Sequence, residues 1–336
     1  MKAFILPQTK ATLSDVPLPT IKPGEVLVRL KSAAINHHEI WLVENEKDSP
    51  PFILGSDGSG VVEAVGEHVT KLKKGDEVII HPSLHWGERE DAYGDKFVIL
   101  GWGNNGTFAE AILVREENVF KKPTHLSWDS AAALPLAGLT AYRALFKKAD
   151  LKADETVLIH GISGGVAVFA MQFALAIGAK VIATSTSDKK LQRAQELGAT
   201  ITINTNNSDW DQKIKEQLGE GGVDLVVDNL GGEFTSRSLG LLRRGGRLVS
   251  YGSTANQFSN IDMQDLFWRQ LTIIGSTMGS PADFADMLAF VSKHNITPVV
   301  DSLHPLEKIN EALARQKNSE RFGKVVMQIG KQHDTN

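Results

Sequence analysis

The chain contains no cysteine. Disulfides, iron–sulfur clusters and thiolate zinc sites are therefore excluded. An excess of one charge is missing too: 36 Lys and Arg stand against 40 Asp and Glu, a net charge of −4 over 336 residues, and no basic block occurs. Nothing in that balance suits nucleic acid or an anionic membrane. The apolar runs are too short to span a bilayer. Met1–Leu6 is too short for the apolar region of a signal peptide and reads as a strand. These absences predict a soluble, cytoplasmic protein. No internal repeat or low-complexity segment stands out, and the length suffices for two domains with a sizeable core.

What is present is organised around one stretch, Thr156-Val157-Leu158-Ile159-His160-Gly161-Ile162-Ser163-Gly164-Gly165-Val166-Ala167. A short apolar run reads as a buried parallel strand. A glycine-containing turn follows, and Val166–Ile177 reads as a helix, with small Ala167, Ala170, Ala174 and Ala176 suited to close packing on a sheet. Strand, tight turn and helix N-terminus make a site for a dinucleotide pyrophosphate, because free N–H groups and the helix dipole face the negative charge. The three key positions hold Ile162, Gly164 and Ala167 in place of three glycines. Taken alone, the motif also fits a plain βα turn of any α/β protein.

The flanking rhythm supports the dinucleotide reading. Residues 1 to about 125 read as strands and loops, with strands over Glu25–Ile35, Gly60–Val65, Asp76–His81 and Thr107–Val114, and a long excursion over Pro82–Asn105. This part predicts a β-rich, partly closed barrel. From residue 129 helices and strands alternate. A helix is expected over Trp128–Leu145. Strands are expected at Lys180–Thr184, Thr200–Asn204, Val223–Asp228, Gly246–Gly252 and Leu271–Gly275, and helices at Lys189–Leu197, Asp211–Leu218 and Ala282–Lys293. Such alternation implies a doubly wound parallel sheet. A helix over Leu306–Lys317 and a strand over Lys324–Ile329 are expected to rejoin the first domain.

Several segments resemble the medium-chain dehydrogenase/reductase superfamily, in its zinc-free quinone-oxidoreductase-like branch. They are Pro23-Gly24-Glu25-Val26-Leu27-Val28, Gly55-Ser56-Asp57-Gly58-Ser59-Gly60-Val61-Val62, Gly75-Asp76-Glu77-Val78, Gly106-Thr107-Phe108-Ala109-Glu110, Leu139-Thr140-Ala141-Tyr142-Arg143-Ala144-Leu145 and Gly323-Lys324-Val325-Val326. The resemblance covers nearly the whole chain. It implies a GroES-like catalytic domain over 1–128, rejoined by 297–336, and a Rossmann dinucleotide-binding domain over 129–296, with an active cleft between them. The zinc ligands of other members correspond to Asn36, Ser56 and about Leu136, none of them a usual strong ligand. The excursion over Pro82–Asn105 resembles the lobe that holds a structural zinc, without its cysteines. A rival metal site built from His37, His38, His81 and His85 has a spacing that fits no usual pattern.

The resemblance also implies the cofactor contacts: Ser163, Gly164, Gly165 and Val166 at the phosphates, with Thr140, Asn229, Tyr251 and Lys324 elsewhere along the cofactor. The acidic position that selects NAD falls on Ser185, which is neutral and can donate to a 2′-phosphate that Lys190 (or Lys189) neutralises. This favours NADPH. The competing possibilities are that Ser185 and Ser187 only cap the next helix, or that a shifted alignment brings Asp188 to the ribose.

Hydride transfer without zinc suits acceptors whose charge delocalises, namely quinones and α,β-unsaturated carbonyls, since hydrogen-bond donors then suffice for the phenolate or enolate. Asn36, His37, Glu39 and Thr140 are the candidate catalytic residues, with His37 or His38 as proton donor. No tyrosine precedes Tyr93, which argues against an enoyl-thioester reductase. The expectation is an NADPH-dependent, zinc-independent reductase of quinones or enones. It should work as a homodimer paired through Leu271–Thr277, with a small-molecule substrate and no nucleic acid or membrane partner. The alternatives are an alcohol/aldehyde dehydrogenase of the same fold and a non-catalytic NADPH-binding protein.

Overall fold

The computed structural model describes residues 1–6, 12–46 and 48–330. The chain divides into two compact units, Met1–Leu139 with Gly279–Asn336 and Thr140–Met278.

The first unit is built on strands β1 (Lys2–Leu6), β2 (Thr12–Asp15), β3 (Glu25–Ile35), β4 (Phe52–Ile53), β5 (Asp57–Val65), β6 (Glu77–Ile80), β7 (Ser83–Leu84), β8 (Val98–Ile99), β9 (Ala111–Arg115) and β10 (Val119–Lys121). Helices α1 (His37–Asn45), α2 (Trp128–Ala133) and α3 (Pro135–Tyr142) follow in their places, α3 running past the unit boundary. The second unit holds β11 (Thr156–Ile159), α4 (Gly165–Ala176), β12 (Lys180–Ser185), α5 (Asp188–Glu196), β13 (Ile201–Asn204), α6 (Trp210–Leu218), β14 (Val223–Asp228), α7 (Glu233–Leu239), β15 (Leu242–Ser250), α8 (Met263–Trp268) and β16 (Thr272–Gly275). The tail returns to the first unit as α9 (Pro281–Lys293), β17 (Val300–Pro305), α10 (Ile309–Lys317) and β18 (Lys324–Gln328).

The second unit has one parallel sheet in the order β13-β12-β11-β14-β15-β16. Counted from its own first strand this is the 3-2-1-4-5-6 order of a Rossmann fold, which reverses between β11 and β14. Val157, Leu158, Ile159, Leu225, Val226 and Val227 are fully buried, as expected for central parallel strands covered on both faces.

In the first unit the sheet runs β10-β6-β5-β3-β18-β17, with β9 also on β3, and a smaller sheet runs β2-β1-β4. β18 lies antiparallel to β3 and β5 lies antiparallel to its other side. Three strand ends therefore meet near Asn36, Asp57 and Lys324.

Several elements differ from the sequence-based expectation. The helix expected over Trp128–Leu145 is broken into α2, α3 and a wide π-type turn, Arg143–Lys148. Pro135 starts α3 and cannot donate into a continuous helix. β15 starts at Leu242 rather than Gly246, because Leu242 pairs with Val223 ahead of a bulge. α1 and β17 are not among the expected elements, and α7 and α8 are helices between strands for which no range is expected. The contact-based boundaries fall at 139/140 and 278/279, against 128/129 and 296/297. Ser32 Oγ donates to Asp129 (2.5 Å) and Ser59 Oγ to the Trp128 carbonyl (2.7 Å), which ties α2 to β3 and β5. Phe284 of α9 packs on His81 and Phe120.

The excursion over 82–105 closes on itself through the β7–β8 pair. Trp86, Tyr93 and Phe97 fill it, with ring centroids 4.6–5.9 Å apart. Trp86 is buried, and the more exposed Tyr93 and Phe97 rings pack over it.

Candidate active site

In the first unit, Asn36 ends β3 and is the N-cap of α1. Its backbone N–H donates to Glu39 Oε2 at 2.7 Å, the return half of a capping box. The Asn36 side chain turns toward β5 and β18. Its Nδ2 donates to Ser56 Oγ (3.1 Å) and Asp57 Oδ2 (2.9 Å), and its Oδ1 accepts from Lys324 Nζ. Lys324 Nζ also donates to Asp57 Oδ2 at 2.9 Å. The Leu136 N–H donates to Asp57 Oδ1 at 2.8 Å. Glu39 is fully buried and accepts from the Ser56 N–H (3.1 Å) and Ser56 Oγ (2.6 Å).

Asn36, Glu39 and Lys324 are therefore brought together, joined by Ser56, expected only as a position where zinc-dependent relatives hold a ligand, and by Asp57, which the sequence reading had not placed in the site. The consequence for Asn36 is specific. Both amide hydrogens and the amide oxygen are already committed, so it acts as a linker within the network and not as an available substrate donor. Glu39 likewise brackets Ser56 and the start of α1. Lys324, expected at the cofactor, spends two of its donors on Asp57 and Asn36. Burial pushes the Asp57 carboxyl above its ordinary value and nearby Glu39 adds to the rise, while Lys324 and Asn36 oppose it.

The two histidines at the start of α1 separate. His37 is exposed. His38 is largely buried, with Nε2 3.3 Å from Glu39 Oε1 but without the alignment of a hydrogen bond. The helix phase that α1 imposes was the missing signal, and Asn36 followed by Glu39 three residues on is its sequence signature. His81 lies apart. It is buried between Phe120 and Phe284, with Nε2 3.2 Å from the Gly279 carbonyl and Nδ1 3.3 Å from Asn118 Nδ2. Among the described residues no group of three or more His, Cys, Asp or Glu side chains is placed to hold a metal ion.

In the second unit, His160 closes β11 and is locked by Thr184 Oγ1 (2.9 Å) and Ser238 Oγ (2.7 Å). Gly161 then takes φ +63°, which favours glycine. Ile162 is buried and its N–H donates to the Thr184 carbonyl at 3.0 Å. Gly164 is the N-cap of α4, and Gly165 and Val166 are its first two residues. Lys190 Nζ donates to Ser163 Oγ at 2.8 Å, which brings a cation from α5 to the glycine turn. Ser185 ends β12, and its Oγ accepts the Ser187 N–H at 3.2 Å. Ser187 is the N-cap of α5 but makes no side-chain capping bond. Asp188 accepts from Asn204 Nδ2 at 2.7 Å. Asn229 follows β14, beside Gly161, and its buried Oδ1 has no partner. The Tyr251 N–H donates to the Asp228 carbonyl (3.1 Å), and burial with the Asp228 charge raises its phenol above the ordinary value. Thr140 is buried in α3, at the first position of this unit.

This turn lies where the strand order reverses, the place at which open α/β sheets bind ligands. A free helix N-terminus, a nearby ammonium and an unpaired amide oxygen at Asn229 fit a dinucleotide.

Comparison with known proteins agrees with both units. Residues 22–124 match the alcohol dehydrogenase GroES-like domain and residues 165–293 match the zinc-binding dehydrogenase family. A zinc-type alcohol dehydrogenase-like protein of Schizosaccharomyces pombe is 34% identical over 320 residues, 92% of each chain. Human quinone oxidoreductase is 31% identical over 315 residues, covering 91% of this chain and 89% of its own. A crystal structure of an NAD-dependent alcohol dehydrogenase superposes with a TM-score of 0.90 at 36% identity, over 98% of this chain and all of that one. The chain belongs to the medium-chain dehydrogenase/reductase superfamily. Within it, the protein is an oxidoreductase.

Proposed function

We propose that this oxidoreductase uses NADPH to reduce quinones or α,β-unsaturated carbonyls without a catalytic zinc. The observation that carries the reading is the network of Asn36, Ser56, Asp57 and Lys324. The positions corresponding to zinc ligands hold an amide whose groups are all used, a hydroxyl given to Glu39, and an apolar Leu136. The Lys324 ammonium already balances the Asp57 carboxylate, and the Glu39 carboxylate is engaged by Ser56 and the Asn36 N–H. This donor set does not fit zinc. With no Lewis acid, the site suits acceptors that spread the charge left by hydride addition.

The reduced nicotinamide ring supplies the hydride. Lys190, Ser163 and the N–H groups at the start of α4 would hold the cofactor's phosphates. Ser185, the neutral residue at the end of β12, leaves room for a 2′-phosphate that a carboxylate would repel. Asp188 is engaged by Asn204. His38, whose Nε2 lies 3.3 Å from Glu39 Oε1, would relay a proton from water to the reduced acceptor. We infer further that the protein is a homodimer joined through β16. This strand ends its sheet, and Met263, Phe267, Trp268 and Ile273 are exposed beside or upon it, a pairing hazard unless a partner covers them.

Alcohol dehydrogenase activity is the second reading, favoured by the 36% identical NAD-dependent neighbour. One experiment separates them. NADPH and NADH oxidation are measured against quinones and enones, and NAD(P)-dependent oxidation against alcohols, each with and without a chelator, alongside elemental analysis. The proposal expects chelator-insensitive NADPH oxidation with quinones or enones and no stoichiometric zinc. Chelator-sensitive alcohol oxidation with zinc near one per chain refutes it.

A further inference from the structure

Trp41 and Trp102 are left 48% and 43% exposed, although their rings meet at 5.7 Å with a 55° tilt. Trp86 and Trp210, by contrast, are each only 2% exposed. Two adjacent indoles facing water forgo much of the stabilisation that burial gives so large an apolar group. Their placement explains why they stand there.

Trp41 lies on α1, four residues after His37 and three after His38, and so is a helix-surface neighbour of each. That helix begins at Asn36. Trp102 sits in the turn that packs against Gly55, the residue just before Ser56 and Asp57. The approach is backbone to backbone: a Cβ at Gly101 would lie 2.3 Å from the Gly55 carbonyl oxygen, and one at Gly106 would lie 2.0 Å from it. The Asn104 side chain locks the turn, accepting the Gly101 N–H (3.0 Å) and donating to the Ile99 (2.9 Å) and Trp102 (3.0 Å) carbonyls. Trp102 is thus held rigidly. The helix that begins at Asn36 and the turn that packs against Gly55 therefore each present one indole, and the two rings meet.

We propose that Trp41 and Trp102 form the acceptor-binding wall of this site and select planar, conjugated acceptors over short aliphatic ones. The tilted pair offers an aromatic face and an aromatic edge to a flat ring, which is the geometry that stacked and edge-to-face contacts use. A naphthoquinone covers both rings, whereas a four-carbon enone covers little of either. The proposal rests on the reductase reading and names the acceptor class within it.

The test uses the full chain and the variants Trp41→Leu, Trp102→Leu and Trp102→Phe. With the preferred reduced cofactor, KM and kcat are measured for 1,4-naphthoquinone and for but-3-en-2-one. Binding of 2-naphthol, which is planar but accepts no hydride, is measured separately by calorimetry. Each leucine variant is expected to raise the naphthoquinone KM and the naphthol Kd by about five- to tenfold. The butenone KM should rise by clearly less than the naphthoquinone KM, and Trp102→Phe should retain most of the parent's binding. Unchanged naphthol binding in both leucine variants overturns the proposal, as does an equal rise in KM for both acceptors. Dissociation of a dimer in Trp41→Leu with naphthol binding intact also overturns it, since the patch would then serve a second copy. If the parent reduces no acceptor yet naphthol binding depends on both indoles, the wall stands and the reductase reading falls.

Discussion

Replacing Lys324 with Met tests the central network most directly. The Lys324 side chain is 4% exposed and Asp57 is fully enclosed. Methionine fills similar space but removes the ammonium from Asp57 Oδ2 and Asn36 Oδ1. Asp57 keeps the Leu136 N–H and one Asn36 hydrogen, so two hydrogen bonds remain but no countercharge. Removing one partner of a buried ion pair costs about 3–5 kcal/mol, because the other charge is left without compensation. The loss should therefore be of that size at neutral pH.

Its pH dependence has a definite sign. Burial already holds the Asp57 carboxyl above its ordinary value, and Lys324 is one of the groups opposing that rise. Without Lys324 the folded-state value climbs further. An acid raised on folding binds its proton more readily in the native state, so the variant gains stability as pH falls through that value. The deficit against the parent should be largest at neutral pH and narrow under mild acid. A double variant, Lys324→Met with Asp57→Asn, removes both charges and should recover at least half of the loss. Urea unfolding measures the stability, and native-state hydrogen exchange at β3 and β5 amides reports the first unit alone. A cost below about 1 kcal/mol, or a double variant as unstable as the sum of the singles, would refute the ion-pair account.

The cofactor assignment predicts that Ser185→Asp moves preference toward NADH by at least about tenfold, since a carboxylate repels a 2′-phosphate and accepts a ribose hydroxyl. Lys190→Ala should weaken NADPH by about 1.5–3 kcal/mol and leave NADH nearly unchanged; equal effects in steady-state kinetics would sink the assignment. Burial pushes His81 and His160 each from 6.5 down to about 4, so both are neutral when folded and take up protons on unfolding. Stability should be full above about pH 6.5 and fall toward pH 4 by on the order of 3 kcal/mol per histidine. His81→Gln should reduce that slope by about one proton in urea titrations between about pH 5 and 6. Sedimentation at micromolar concentration should find a dimer that Ile273→Asp weakens, and a monomeric parent would count against β16 pairing.

The second unit was largely legible because its signals are local. Thr156–Ala167 carries strand, turn and helix start within twelve consecutive residues, and β12 to β14 appear as apolar runs between polar helices. Errors there have local causes as well. The start of β15 hid behind Arg243 and Arg244, whose charge masks a strand ahead of the bulge. α7 and α8 are short, and each buries too little to leave a periodic pattern.

The first unit's site was only half legible, for a different reason. Resemblance pointed to Asn36, Ser56 and Leu136 as positions, but what their groups do depends on Lys324, which lies 267 residues beyond Asp57. No local pattern announces such a pair. Once β18 aligns with β3, the ammonium arrives where three strand ends converge, and each donor and acceptor of Asn36 is taken. The same geometry then decides between neighbouring histidines. Because Asn36 caps α1 and Glu39 turns back to bond its N–H, the ring at position 38 is carried against the Glu39 carboxylate and the ring at 37 into solvent. The proton-handling role proposed for His38 would therefore rest on a helix phase set by a capping residue. His38→Gln should lower kcat more than His37→Gln, and the reverse order would show that the helix start does not govern the chemistry.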